Sequence, residues 1–261
     1  WGLLLAAVAA LVAAPYLYHR MDEEVRIRVE QTLGRHYQDL LVTVRSARLV
    51  EGEGIVVRGV SIRDPQNREQ QTELISLDEV LLECSTEVRQ LMQADLEIRR
   101  IVLRRPTLRA MRLSTGQWST GKLLPLPQRN GAPPEVVIED GIVEIIDPQP
   151  DAPRILRLRE TNVRVVPTTD APLMPGGKSP MRLHGTVASD EVRQIAVDAL
   201  IDPSGNTWRV AGSVNGLSIS PELTRSLPRS EAKPLVQLNS VRATGDAKFH
   251  IDFQAGRTPA W

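Results

Sequence analysis

Alternation between apolar and polar positions with a period of two dominates the chain after residue 41. The alternation is cleanest in two stretches, which direct Ile195, Val197, Ala199 and Ile201, and Ala247, Phe249, Ile251 and Phe253, to one side. Many short strands separated by turn signals predict a mainly β protein with an antiparallel sheet. The predicted strands are 42–50, 54–63, 73–83, 95–104, 107–113, 135–139, 142–147, 154–166, 181–189, 192–202, 207–215, 235–243 and 246–254.

Two short segments have helical rather than strand character. Apolar side chains recur at every fourth position through residues 22–41, which predicts an amphipathic helix that caps the sheet. A second short helix is predicted at 85–93. The stripe of the first helix consists of Val25, Val29, Leu33 and Tyr37.

Dipeptide signals mark the turns. Three predicted strands end in Asp-Pro, where proline stops the strand and the aspartate side chain caps a turn, so these aspartates are interpreted as structural. Asp140-Gly141, between two apolar runs, predicts a hairpin turn. The three pairs are Asp64-Pro65, Asp147-Pro148 and Asp202-Pro203.

The first eighteen residues carry no charge. A helix of that length spans about 27 Å, close to the thickness of the hydrocarbon layer, so residues 1–20 are predicted to be a transmembrane anchor. A cleavable signal peptide is the alternative, although Pro15 would follow the cleavage site and disfavour cutting. The flank after the span is not enriched in Lys or Arg, so the positive-inside rule does not hold it in the cytoplasm. If the span is an N-terminal anchor, the rest of the chain is expected to lie outside the cytoplasm. Because residue 1 is Trp, the chain is expected to be the front part of a longer protein.

Composition narrows the function classes. The 32 Lys and Arg residues equal the 32 Asp and Glu residues, so the basic excess typical of nucleic-acid binders is missing. Aromatic residues make up 3% of the chain, which leaves few platforms for stacking bases or sugars. The single Cys84 excludes an intrachain disulfide and disfavours a cysteine-based zinc site.

A search for chemical motifs finds none. The four histidines have no ligand spacing, and the sequence contains no nucleophile elbow, no phosphate-binding loop and no dinucleotide fingerprint. The sequence therefore predicts no catalytic residue, no metal site and no cofactor. An anchored envelope enzyme is the least favoured hypothesis.

One segment of fourteen residues is rich in arginine. It has two interpretations: a solvated sheet face paired with acidic strands, or contact with anionic lipid headgroups. The candidates for headgroup contact are Arg99, Arg100, Arg104 and Arg105, and the segment also contains Arg109 and Arg112.

From Gly54 to Leu126 the chain resembles the N-terminal region of AsmA-like proteins. The matching strands are GIVVRGVSIRDP (54–65) and LISLDEVLLEC (74–84), and paired strands at 136–148 and 154–167 resemble the family's repeats. One departure is Ser119, where the family usually has asparagine. Further matching positions are Ile98, Ile101, Pro106, Leu108, Arg112, Gly116 and Trp118.

The resemblance implies a protein anchored in the bacterial inner membrane, with most of the chain in the periplasm and no nucleic-acid partner. Its sheet would be curved into an elongated hydrophobic groove, as in larger envelope proteins of the TamB and YhdP type. The implied domains are an anchor (1–20), an AsmA-like α+β unit (21–126) and a second antiparallel β-unit (135–261) that continues further. The implied function is envelope biogenesis or phospholipid transport, with acyl chains held in the groove. Candidate groove residues are Ile195, Val197, Ile201, Phe249, Ile251 and Phe253.

A structural or assembly scaffold is the main alternative function. Such a protein would bind envelope proteins through the exposed edges of its strands.

Overall fold

A computed structural model describes residues 22–66, 73–84, 98–113, 115–123, 133–148, 153–168, 180–202, 207–227 and 242–254. The protein is mainly β, as predicted. The helices are α1 (22–36) and α2 (Pro221–Ser226), with a 3-10 turn at Ser119–Leu123. The strands are β1 (Leu41–Val50), β2 (Gly54–Arg63), β3 (Glu73–Cys84), β4 (Ile98–Met111), β5 (Glu135–Asp147), β6 (Arg154–Pro167), β7 (Met181–Ser189), β8 (Val192–Ile201), β9 (Thr207–Ile219) and β10 (Ala243–Gln254).

The ten strands are hydrogen-bonded in the order of the sequence. Antiparallel pairing joins β1 to β2, β2 to β3, and each consecutive pair from β5 to β10. The β4–β5 pair differs, because its contacts Arg104–Glu139 and Arg109–Glu144 both join residues 35 positions apart. A constant offset is the signature of parallel strands, so the sheet is mixed, and the prediction of an antiparallel sheet is wrong at this pair.

Two of the observed strands were each predicted as two. The described part of 95–104 and most of 107–113 lie in the one strand β4 (Ile98–Met111), and 135–139 and 142–147 belong to β5. The interruption is a single residue with left-handed backbone, Arg105 (φ 47°) in β4 and Asp140 (φ 54°) in β5. Asp140-Gly141 is therefore a bulge within a strand rather than the predicted hairpin turn.

Left-handed residues also lie within β2, β6 and β9, at Gly59, Glu160 and Gly216. On β2 the buried apolar positions change from odd to even residue numbers at Gly59. Ile55 and Val57 are buried before it, and Val60 and Ile62 after it. In β2 the register with β1 and β3 continues without a shift through Gly59, so the left-handed backbone itself reverses the alternation and the apolar side chains stay on one side.

The left-handed glycines of β2 and β9, Gly59 and Gly216, share a local sequence and an environment. Both strands read Val-x-Gly-x-Ser-Ile, at 57–62 and at 214–219. In both, an arginine of the preceding strand covers the glycine: a Cβ added to Gly59 would lie 2.8 Å from the Cβ of Arg45, and one on Gly216 would lie 3.0 Å from that of Arg193. The same six-residue pattern, with an arginine of the preceding strand over its glycine, thus occurs twice in the sheet.

The chain divides into two compact units, Trp1–Arg100 and Ile101–Trp261, with the boundary inside β4. In the first unit the apolar side chains of β1–β3 are well buried, and Val57 and Leu74 are each 2% exposed. Tyr37 and Leu40, which follow α1, are buried as well. Helix α1 ends at His36 rather than at the predicted residue 41.

Helix α1 protects the outer backbone of β1. The Glu30 carboxylate accepts a hydrogen bond from the N–H of Val44 at 3.3 Å, and Arg26 donates one to the Val44 carbonyl at 3.2 Å. Arg26 and Glu30 also pair with each other at 2.7 Å. These two side chains satisfy the groups that a neighbouring strand would otherwise bind, which is a recognised means of guarding an edge strand.

We expect Glu30→Ala to lower the free energy of unfolding by about 1–2 kcal/mol, because the buried N–H of Val44 would lose its acceptor. Glu30→Gln keeps an acceptor oxygen and should have a smaller effect. Glu24→Ala, at an exposed position of the same helix, is the control. Chemical denaturation followed by circular dichroism measures the difference. Equal stability of the Glu30→Ala and Glu24→Ala proteins would contradict the guarding role.

The three Asp-Pro aspartates lie at strand ends as predicted. Asp64, Asp147 and Asp202 are only 3–5% exposed. Asp64 accepts a hydrogen bond from the N–H of Gln66 at 3.1 Å, which is the expected turn geometry. Asp202 directly follows β8, which pairs antiparallel with β9.

Several predictions fall outside the described residues. These are the anchor at 1–20, the helix at 85–93 and nearly all of the strand at 235–243. Within the part of the chain that the structure describes, no helix is long and apolar enough to cross a membrane.

Candidate functional site

Strands β5–β10 of the second unit share one apolar face. Directly paired residues point to the same side of a sheet, so the register defines rows of side chains that run across the strands. Two rows cross all six strands: Ile138–Val163–Gly185–Val197–Gly212–Phe249, and Val136–Val165–Leu183–Ala199–Val210–Ile251. Two shorter rows are Val187–Ile195–Val214–Ala247 and Met181–Ile201–Trp208–Phe253. We call these four rows the apolar face.

All six groove candidates from the sequence occupy positions in these rows. Ile195, Val197 and Ile201 come from β8, and Phe249, Ile251 and Phe253 come from β10. The first five are half-buried. The structure thus brings together residues that are more than fifty positions apart, with β9 between the two strands.

Phe249 packs against its own sheet. A Cβ added to Gly212, its direct partner on β9, would lie 2.5 Å from Cζ of the Phe249 ring. The ring therefore fills the space that the missing side chain of Gly212 leaves, which stabilises glycine in a strand. In the same row, a Cβ on Gly185 would lie 2.8 Å from a methyl group of Val163.

The apolar face is less covered than the core of the first unit. Of the row residues whose side chains the structure describes, only Ala199 is buried (3% exposed), whereas β1–β3 bury most of their apolar side chains. Polar atoms are few on this side; the hydroxyl of Thr161 is buried and has no hydrogen-bond partner among the described residues. The second unit therefore presents an extended aliphatic surface with little hydrogen-bonding capacity.

The opposite side of β5–β10 is charged and internally paired. Arg157, Arg164, Arg182 and Arg209 each pair with a carboxylate on a neighbouring strand. Glu144 accepts from both Arg109 and Arg157 at 2.8 and 2.7 Å. Burial alone would raise the pKa of Glu144, but the hydrogen bonds and charges of these two arginines outweigh it and lower the pKa. Exposed pairs of this kind contribute little stability each.

The arginine-rich segment forms ion pairs. Arg100 contacts Glu83 at 3.3 Å, and Arg104 contacts Glu139 at 3.3 Å. The left-handed Arg105 reverses the alternation, so Arg104 and Arg109 lie on the same face although their numbers predict opposite faces. Arg99 and Arg105 are exposed. These contacts agree with the interpretation as a face paired with acidic strands, and headgroup contact stays a prediction.

The described residues contain no group of three or more His, Cys, Asp or Glu side chains that could hold a metal ion. Cys84 is buried at the end of β3 and forms no disulfide. His250 is exposed on the charged side and lies 3.2 Å from Asp252, which also pairs with Arg209. These pairs are lateral contacts between strand side chains rather than groups that converge on a substrate.

No known protein family matches the sequence, and no curated protein matches it either. The resemblance to AsmA-like proteins accordingly stays a prediction.

Sequence reasoning missed two parts of this site. The left-handed residues Arg105, Asp140 and Glu160 have no signature that distinguishes them from ordinary strand or turn residues. Helix α2 did have a readable signal, because Ser220-Pro221-Glu222 places a capping serine and a proline at a helix start.

Proposed function

We propose that this chain is an AsmA-like, membrane-anchored envelope protein whose apolar face binds the acyl chains of phospholipids. The observation that carries the proposal is the pair of rows that cross β5–β10 with aliphatic or glycine positions and a terminal Phe249 or Ile251. The cellular role would be envelope biogenesis or phospholipid transport.

The chemistry of this face suits a fluid apolar ligand. Removing apolar surface from water contributes about 25 cal/mol per Å², so affinity would grow with the length of acyl chain in contact. Sites for a fixed small molecule usually add a few converging polar groups, which direct the ligand into one orientation. A face of Val, Ile, Leu and Ala instead holds a chain without fixing its position along the surface.

The proposal includes a location and a division of the chain. Residues 1–20 would anchor the protein in the bacterial inner membrane, and residues 21–126 and 135–261 would form two periplasmic units. The sheet would be curved so that the apolar face lines an elongated groove. Bulges favour such curvature, because each one bends and twists its strand.

Headgroups would contact the arginine-rich segment. Arg99 and Arg105 are exposed, and Arg100 and Arg104 pair with Glu83 and Glu139. Anionic phosphate would therefore compete with carboxylates at Arg100 and Arg104.

Photo-crosslinking tests the proposal. A photoreactive residue placed at Val197 or Ile251 should capture phosphatidylglycerol or phosphatidylethanolamine in cell membranes. The matched controls are Ala196 and His250, which neighbour these positions on the same strands but point to the charged side. We expect capture about tenfold higher at the apolar positions, corresponding to about 1.4 kcal/mol. Equal capture at all four positions would contradict lipid binding by this face.

A scaffold that binds envelope proteins through a strand edge is the second candidate. It is favoured by β10, in which the described side chains from Ala243 to Lys248 are all exposed, while the outer backbone of β1 is engaged by α1. Capture of one defined protein at Lys248, without lipid at Val197, would favour the scaffold over lipid binding.

A further inference from the structure

Helix α2 lies at one end of the apolar face. It follows β9 directly, yet its neighbour is β6, three strands away in the sheet. Strand spacing of about 4.8 Å means that the segment extends over roughly 14 Å to reach β6. At that point Nη1 of Arg154, the first residue of β6, donates a hydrogen bond to the carbonyl of Leu227 at 3.2 Å.

The segment is held in an ordered conformation at both ends. Ser220 caps the helix by accepting a hydrogen bond from the N–H of Leu223, and the N–H of Leu227 donates to the Leu223 carbonyl at 3.1 Å. Leu223 is 9% exposed, so the helix buries its central apolar side chain. A surface loop with no packing role would leave this leucine in solvent.

The register of β8 and β9 shows at which end of the apolar face α2 lies. Beyond the row that contains Ile195, the pair Val192–Leu217 continues toward α2, and Val192 is 8% exposed. At the opposite end the pair Ile201–Trp208 is half-buried. We call these the α2 end and the Trp208 end of the apolar face.

We propose that α2 is a stop that closes one end of the apolar face, so that an acyl chain bound to this face does not extend past the α2 end. The inference rests on the lipid-binding function proposed above and adds a boundary to it. Arg154 is the positioning residue of the stop, since it ties the end of α2 to β6 through a backbone carbonyl.

The test compares lipid capture at the two ends. Photoreactive residues at Ile201 and at Leu217 are exposed, in the full chain, to vesicles of dioleoylphosphatidylglycerol with a labelled acyl chain. In the unmodified background, capture at Ile201 should exceed capture at Leu217 by about tenfold. Arg154→Met removes the hydrogen bond to Leu227, and should raise capture at Leu217 until the two positions differ by about twofold or less.

Two further variants complete the test. Leu223→Gln weakens the packing of α2 without changing any residue of β6, and should have the same effect as Arg154→Met. Arg182→Met, on the charged side of β7, should leave the ratio unchanged. Equal capture at both ends in the unmodified background would overturn the stop while leaving lipid binding intact. So would an unchanged ratio of capture at Ile201 to capture at Leu217 in both the Arg154→Met and the Leu223→Gln protein. Absence of capture at both ends in every background would overturn lipid binding itself.

Discussion

Val197→Asp is expected to reduce phospholipid capture by about 100-fold, which corresponds to about 2.7 kcal/mol. Val197 is central in the row that crosses β5–β10, with Gly185 and Gly212 as its direct partners. A carboxylate there would have to lose its water when an acyl chain covers it, and an unpaired charge in apolar surroundings costs several kcal/mol. The half-buried position lets the carboxylate stay hydrated in the lipid-free protein, so the fold itself should lose only about 1 kcal/mol.

The adjacent residue supplies the control for this prediction. Ala196→Asp adds the same charge to the same strand but on the charged side, and should reduce capture less than twofold, a change within about 0.4 kcal/mol. Capture is measured with a photoreactive residue at Ile251 and labelled phosphatidylglycerol vesicles, and circular dichroism checks that both proteins are folded. If the two substitutions reduce capture equally, the effect is one of net charge and the apolar face is not the binding surface.

Gly59→Val is expected to cost about 3–4 kcal/mol of folding free energy. Gly59 has φ 62°, a left-handed conformation that a β-branched residue adopts only with strain of about 1–3 kcal/mol. A Cβ at this position would also lie 2.8 Å from the Cβ of Arg45, so the β1–β2 pair must shift. Asn tolerates the left-handed region better, and Gly59→Asn should therefore cost less than Gly59→Val.

A substitution at Gly52 separates the cost of the left-handed backbone from the cost of the contact with Arg45. It is also left-handed (φ 79°), but a Cβ there would meet nothing within 4 Å. Gly52→Val thus measures conformational strain alone, and the difference from Gly59→Val measures the contact with Arg45. Urea denaturation followed by circular dichroism gives both free energies. Equal losses at the two glycines would show that the contact has no energetic weight, and a negligible loss at Gly59 would show that its left-handed backbone is not required.

Much of the fold could be predicted from the sequence, because alternation and turn residues are local signals. The bounds of β2 and β7 were predicted without error, and the six groove candidates were assigned to one side of β8 and β10 from their spacing alone. The shared face then follows from the register, because β8, β9 and β10 pair in sequence order.

The errors in the prediction have a common cause. Arg105 and Asp140 adopt backbone angles that non-glycine residues rarely visit, and the energy that holds them comes from neighbouring strands. Asp140-Gly141 has the sequence of a hairpin turn, so its role as a bulge is decided by pairing with β6 rather than by local preference. The parallel β4–β5 pair is equally invisible to periodicity, which reports the spacing of side chains but not the direction of a strand.

The sequential order of the strands has a kinetic consequence. Each strand pairs with its neighbours in the chain, so most contacts close short loops, and a sheet of low contact order forms quickly by zipping from hairpin to hairpin. Two connections are much longer than a tight turn: residues 112–134 between the parallel strands β4 and β5, and residues 220–242 between β9 and β10. Strand pairing must wait at both connections until the longer loop closes, and during the first wait the edges of β4 and β5 are open to pairing with the wrong strand.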